Sequence, residues 1–257
     1  MLFTAQNNPP YYRFENLAVF RGIDHRIFTR RSGFSPPPFD SLNISLGIGD
    51  AETNVARNRG LIRRSITGGE FVYVRQVHGC TVAVLKDDIQ EQGGRPCAAA
   101  ITADALVTDL SGRYLVIQVA DCQAVLLYDP VRQVIANVHC GWRGSILNVI
   151  GRTLEAMMYH FNCRPECIRA GIGPALGPCC AEFINYKAEI PAEFWVYKDS
   201  RDHFDFWAVS RDQLLRAGVA ENNIEVSGIC TRCRTDEFYS YRAAKRTGRF
   251  AAVIGLK

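Results

Sequence analysis

Two apolar runs separated by a single proline turn constrain this chain more than any other feature. Residues 124–128 (AVLLY) and 133–138 (QVIANV) are aliphatic and β-branched at strand density. Between them Asp129-Pro130-Val131-Arg132 supplies a turn in which proline pre-sets φ. A four-residue loop predicts an antiparallel hairpin with Tyr128 opposite Gln133. Carried to its other end, that register sets Cys122 opposite His139. Opposed Cβ atoms lie roughly 5 Å apart. The spacing suits a thiolate and an imidazole on one metal, at about 2.3 Å and 2.0 Å. It suits equally a Cys–His nucleophile pair, or a buried cysteine beside a core histidine. A slip of one residue would put the two side chains on opposite faces.

Composition narrows the setting. The chain has 257 residues, 47% hydrophobic and 22% charged, the balance of a globular protein able to bury a large core. Neither an internal repeat nor a long linker interrupts it, so one domain over 1–257 is expected, with 1–12 (containing NNPP) loosely ordered. A net charge of +4 is modest for this length and predicts no nucleic-acid partner. No run approaches the ~18–20 apolar residues of a membrane span, and no signal-peptide pattern opens the chain. Ten cysteines in such a chain imply reduced thiols in the cytoplasm, some buried and some on metal.

Along the chain, a short strand is expected at 17–20 and a proline-rich loop near 36–38. A helix after Asp50 places Val55, Leu61 and Ile62 inward and Arg57, Arg59, Arg63 and Arg64 elsewhere, chiefly in solvent. Alternation over 70–77 predicts a strand ending at His78-Gly79. Strands follow at 82–85, 104–108 and 114–119, with a glycine-containing loop at 90–100 between the first two. A helix is expected over 145–161, its positive end near His139 and open to an anion. Further helices are expected at 179–193 and 210–217, and strands at 167–172, 223–229 and 249–256. Cys230-Thr231-Arg232-Cys233 is a lone CxxC. Adjacent Cys179-Cys180 makes a poor second pair, so no zinc ribbon is expected.

The sequence resembles the YfiH family, also called the laccase-domain or polyphenol-oxidase family. The resemblance runs through FTRRSGFS (28–35), SLNISLG (41–47), QVHG (76–79), ADALVTD (103–109), ADC (120–122), HCGWRG (139–144), GIGP (171–174), CT (230–231) and FYSYR (238–242). It implies an α+β fold of mixed sheets with helices packed outside, similar to the catalytic domain of cytotoxic necrotizing factor. It also implies a metal site at His78, Cys122 and His139. Two imidazoles and one thiolate leave a fourth tetrahedral position open, the catalytic pattern for zinc; copper is the alternative. Two departures stand out. Gln123-Ala124 replaces the usual apolar residue and proline, and Cys140 replaces the usual alanine. By alternation Cys140 faces away from His139 and reads as a buried small residue.

Family members are described as purine nucleoside phosphorylases with adenosine deaminase and methylthioadenosine phosphorylase activity, as copper-dependent polyphenol oxidases, and as editors of peptidoglycan precursors. The residues favour metal-assisted chemistry on a purine nucleoside. Cys122, His139 and Arg143 are expected in catalysis. Arg143 and Arg59 would hold phosphate, Gln76 and Asn43 would position ribose or base, and Trp142 and Tyr241 would stack on the purine. Asp121 is a candidate to orient a ligand histidine. Five histidines are few for a multi-copper centre. A Cys–His hydrolase acting on peptidoglycan precursors, with Cys122 as nucleophile, is the alternative reading; a zinc-stabilised binding module is a third.

Overall fold

A computed structural model describes residues 1–5, 9–66, 68–86 and 101–257; the loop expected at 90–100 lies outside them. The described strands are β1 (Leu2–Thr4), β2 (Tyr11–Arg13), β3 (Ile23–Phe28), β4 (Glu70–Tyr73), β5 (Val82–Leu85), β6 (Ala105–Thr108), β7 (Arg113–Val119), β8 (Gln123–Asp129), β9 (Val134–Cys140), β10 (Arg169–Ile172), β11 (Ile224–Val226) and β12 (Phe250–Leu256). The described α-helices are α1 (Glu15–Ala18), α2 (Glu52–Ser65), α3 (Trp142–Ile146), α4 (Val149–Phe161), α5 (Tyr186–Glu189) and α6 (Phe206–Arg216).

The strands form two mixed six-stranded sheets, ordered β1-β2-β3-β12-β7-β4 and β11-β10-β8-β9-β6-β5. The sheets stack face to face. Ala124, Leu126 and Tyr128 of β8 meet Leu115 and Ile117 of β7 and Ala252 and Ile254 of β12 between them. The alternate residues Val125 and Leu127 face outward onto Ile150, Leu154 and Met157 of α4 and Leu214 of α6. On the far side, Tyr114 and Val116 of β7 and Val253 of β12 pack with Ile62 of α2. Four layers result: helix, sheet, sheet, helix. This explains why β8, β9 and β12 are buried at every residue, since a strand covered on both faces has no solvent side to carry polar residues. Each fully buried aliphatic contributes about 1.5–3 kcal/mol. Asn137 is a polar residue between the sheets. Its Nδ2 donates to the carbonyls of Leu115 and Ala252, both at 2.9 Å, and so links β9 to β7 and β12 across the layers.

Several expectations are corrected. The central hairpin pairs Asp129 with Val134 and Ala124 with His139. The ladder is therefore two residues out of the expected register: Asp129 completes its strand, and Gln133 joins the loop with φ of 54°. A slip of two preserves the faces, so Cys122 still points to the side of His139, and one more step along the ladder would set it against Gly141. The expected strand at 17–20 is instead α1 (15–18) and the coil after it. The described part of 1–12 is held as an edge hairpin, with Leu2 paired to Arg13 and Thr4 to Tyr11.

The helix expected over 145–161 is two helices. Asn148, at φ 54°, breaks it and caps α4 by accepting from the Gly151 N–H; asparagine tolerates this left-handed conformation. The short α3 thus replaces the long helix end expected near His139. Residues 179–193 are largely irregular rather than one helix, interrupted by α5 and entering a 3-10 helix at Ala192–Tyr197. The turn at their start carries Cys179 and Cys180 to Cys230 and Cys233, contrary to expectation.

Candidate metal centre

His78, Cys122 and His139 converge from three elements, and their ligand atoms all lie within 4.8 Å of one another. His139 is held on β9 and is 3% exposed. Cys122 immediately precedes β8. His78 sits at the tip of the segment after β4, with φ of 59°, and is exposed. Its ring meets that of His139 edge-on, centroids 4.8 Å apart. The cluster is buried on the sheet side and open on the other.

Asp104 is the hub that holds it. This fully buried carboxylate accepts from His139 Nδ1 at 2.8 Å and from the backbone N–H groups of Val77, His78 and Gly79 at 3.2, 2.9 and 2.7 Å. It thereby fixes both the His139 ring and the loop that presents His78. An ionised carboxylate only accepts, so Nδ1 of His139 carries a proton and Nε2 is left for a ligand. The orienting acid expected at Asp121 is thus Asp104. Asp121 points elsewhere, accepting from Thr231 Oγ1 at 2.7 Å and the Arg242 N–H at 2.5 Å. Asp121, at φ 82°, shapes the bend that delivers Cys122. Asp104 went unread in the sequence; its signal was an acid opening the apolar run ALVT.

The electrostatics agree with the geometry. Burial opposes ionisation of Cys122, but His139 and His78 outweigh it and push the thiol down to about 6. Burial likewise opposes the charge on His139, but the Cys122 sulfur and Asp104 push it up to about 9. Burial would raise Asp104, yet donors from His139, Gly79 and His78 hold it below its usual range. Without a metal the pair rests as thiolate and imidazolium; a cation would displace one proton from the imidazole.

Room for a ligand is built in. A Cβ on Gly141 would lie 2.9 Å from Cys122 Sγ and 3.3 Å from His78 Cδ2. Two imidazoles and a thiolate fit zinc or copper. Cys140, as expected, faces away: it is 1% exposed, 3.2 Å from Ser145 Oγ, and burial pushes its thiol up to about 11.

The cluster forms the floor of a cavity of about 1030 Å³. A smaller hollow of about 360 Å³, between α4 and α6, lies apart from it. Arg59, Arg75, Arg143, Arg242 and Arg249 line the large cavity, against one carboxylate among the described residues, Asp121. Arg59 reaches in from α2, anchored by its Nε to the Ile44 carbonyl at 2.9 Å and lying over the Tyr73 ring. Trp142, Phe183, Phe206 and Tyr241 supply aromatic wall. Gln76 lines the cavity too, but its amide is committed in both directions to the Gln118 backbone at 2.9 Å. Asn43 corrects the expectation of a substrate contact. It is fully buried outside the cavity. Its Oδ1 accepts from the N–H groups of Ser45 and Arg249, and its Nδ2 donates to Ser45 O and Asp50. It shapes the loop that brings Ser45, Leu46 and Ile48 to the cavity.

Comparison with known proteins agrees with this architecture. The chain is 36% identical to a purine nucleoside phosphorylase of Deinococcus radiodurans over 259 residues, 96% of this chain and 93% of the relative. It is 32% identical to the purine nucleoside phosphorylase YfiH of Escherichia coli, covering 92% and 95%. The crystal structure of a Bacillus licheniformis hypothetical protein YfiH superposes with a TM-score of 0.89 at 29% identity over 99% of both chains. That of YlmD from Geobacillus stearothermophilus gives 0.87 at 29%, over 99% and 98%. The family model for multi-copper polyphenol oxidoreductase laccase matches residues 24–257. Mixed two-sheet fold, motif order and relatives converge, and the chain belongs to this laccase-domain family, the one that includes YfiH and YlmD.

Proposed function

We propose that the chain is a metal-dependent purine nucleoside enzyme, a phosphorylase that also deaminates adenosine, working at His78, Cys122 and His139 within one catalytic domain. The observation that carries the reading is the placement of this donor set at the floor of a cavity walled by arginines and aromatic rings. The names of the relatives support the substrate class.

Zinc, or copper in its place, supplies a Lewis acid when bound between the two imidazoles and the thiolate. The chain's own residues do the rest. Arg143 and Arg59 hold an incoming phosphate by charge-assisted hydrogen bonds. Trp142 and Tyr241 stack on the purine. In phosphorolysis a phosphate oxygen bonds to the ribose C1′, the C1′–N9 bond breaks, and the purine leaves with a proton. In deamination water replaces the exocyclic amine, released as ammonia. Asp104 keeps the Nδ1 proton of His139 in place throughout.

A second reading has its own observation. Cys122, His139 and Asp104 stand in line as thiolate, imidazolium and carboxylate, the arrangement of a Cys–His hydrolase. Multi-copper oxidation has less support. Among the described residues, His78 and His139 are the two of the five histidines that share a ligand cluster, and buried His25 accepts from the Phe14 N–H.

Element analysis with a nucleoside screen, with and without phosphate, tests the proposal. Stoichiometric metal at this site and phosphate-dependent release of hypoxanthine from inosine are expected, with Cys122→Ala losing that metal and all purine activity. Hydrolysis that survives chelation and disappears on alkylation of Cys122 would overturn it in favour of the hydrolase.

A further inference from the structure

Away from the cavity floor, four thiols from distant stretches of chain meet at one point. The sulfurs of Cys179, Cys180, Cys230 and Cys233 all lie within 4.8 Å of one another. Cys233 Sγ is 3.6 Å from both Cys179 Sγ and Cys180 Sγ. A disulfide needs about 2.05 Å. Four sulfurs around a tetrahedral zinc, each at about 2.3 Å, lie about 3.8 Å apart. The two 3.6 Å spacings are close to that value and far from a disulfide's, and all four cysteines are free.

We infer that these four cysteines form a second metal site, a closed tetrathiolate that takes one zinc ion and serves structure rather than catalysis. Four protein sulfurs leave no coordination position for a reactant, which separates this site from the three-ligand cluster. An all-sulfur tetrahedral set selects a thiophilic ion. The backbone cooperates: the Gly177 N–H donates to Cys230 Sγ at 3.3 Å, the kind of contact that supports a metal-bound thiolate. Adjacent cysteines can share the ion because 177–180 is a turn, closed by the Cys180 N–H on the Gly177 carbonyl at 2.9 Å. In an extended strand the two would point to opposite faces. Cys179 and Cys233 are exposed while Cys180 and Cys230 are buried, so the ion can be loaded and withdrawn.

The site has a task. It clasps the loop after β10 to the turn after β11, where Ala175 already bridges Cys230 and the Thr231 N–H donates to the Ala175 carbonyl at 3.0 Å. Thr231 Oγ1 in turn holds Asp121 at 2.7 Å, the residue before Cys122. Leu176 and Ala181, flanking the clasp, line the large cavity. The ion therefore braces one wall of that cavity without touching its contents. The inference is independent of the proposed reaction, since the two sites share no ligand.

Element analysis of the full chain purified under reducing conditions with zinc tests it. Cys122→Ala, which removes a donor from the first cluster only, should retain about one zinc per chain and lose it when Cys230→Ser and Cys233→Ser are added. Chelation should lower the melting temperature of Cys122→Ala. Should the triple variant misfold, differential alkylation of the unsubstituted chain, read by peptide mass, decides. Zinc should protect all four thiols, and a chelator should expose them. Equal alkylation of Cys179 and Cys233 with and without zinc, a disulfide among the four, or iron in place of zinc would overturn the assignment.

Discussion

Replacing Asp104 by asparagine tests the organisation of the metal centre at its least replaceable point. The change keeps shape and removes one acceptor oxygen and the charge. Oδ1 serves His139 and the His78 N–H; Oδ2 serves the Gly79 N–H. An amide can satisfy only one side. With its oxygen toward His139, its NH₂ meets the Gly79 N–H, orphans that donor at a cost of about 1–3 kcal/mol, and loosens the loop that presents His78. With the amide reversed, the Nδ1–H of His139 loses its acceptor and the ring its fixed tautomer. Either arrangement weakens the ligand set without removing a ligand. Loss of an outer partner of this kind typically lowers metal affinity 10–100-fold, about 1.4–2.8 kcal/mol. A competition titration with a chromophoric chelator, run beside Cys122→Ala so that only the ion held with Cys122 is counted, measures the loss. Thermal melts in chelator check the fold. Purine activity should fall at limiting zinc and recover in excess. Unchanged affinity in a folded Asp104→Asn chain would refute the role of the carboxylate.

Other substitutions address separate links. Gly141 has φ of −81°, which alanine adopts freely, so Gly141→Ala acts only through its Cβ beside Cys122 Sγ; metal affinity should fall at least about tenfold with the melting temperature in chelator little changed, and a chain that loses stability instead would point to a packing role. Arg143→Ala should raise the KM for phosphate severalfold while sparing deamination; equal loss in both assays would remove Arg143 from phosphate binding. His25 is buried and neutral, its pKa lowered from 6.5 to about 4 chiefly by burial. The unfolded chain binds the extra proton between those values, so stability is full above about pH 6.5 and is lost as pH falls toward 4, by ~2.5 kcal/mol at about pH 4.5. Urea melts of the metal-free chain should show that loss, and His25→Gln should remove most of it; identical pH dependence in the two chains would refute the assignment.

The strands were legible because burial on both faces leaves long apolar runs such as QAVLLYD and FAAVIGL, and residues 82–85 form a strand with the expected bounds. The Cys122–His139 neighbourhood survived an error in register because the error was even. What escaped depends on single residues whose conformation is set by partners far along the chain. Asn148 breaks a helix that periodicity joins, and Asn43 serves a loop rather than a ligand. Asp104 is one acid among 26 acidic residues until folding sets it beside His139. The four-cysteine cluster escaped for a related reason: alternation is a rule for strands, and Cys179-Cys180 sit in a turn.

The doubly covered sheets also bear on how such a protein can change. With helices over both outer faces, the central strands are covered on both sides, and the large cavity lies at the rim where strands end and loops begin. Its arginines and aromatic rings are largely supplied by those loops and by helix ends, not by the stacked interior. New preferences for base, sugar or anion could therefore arise through rim substitutions that leave the sandwich untouched.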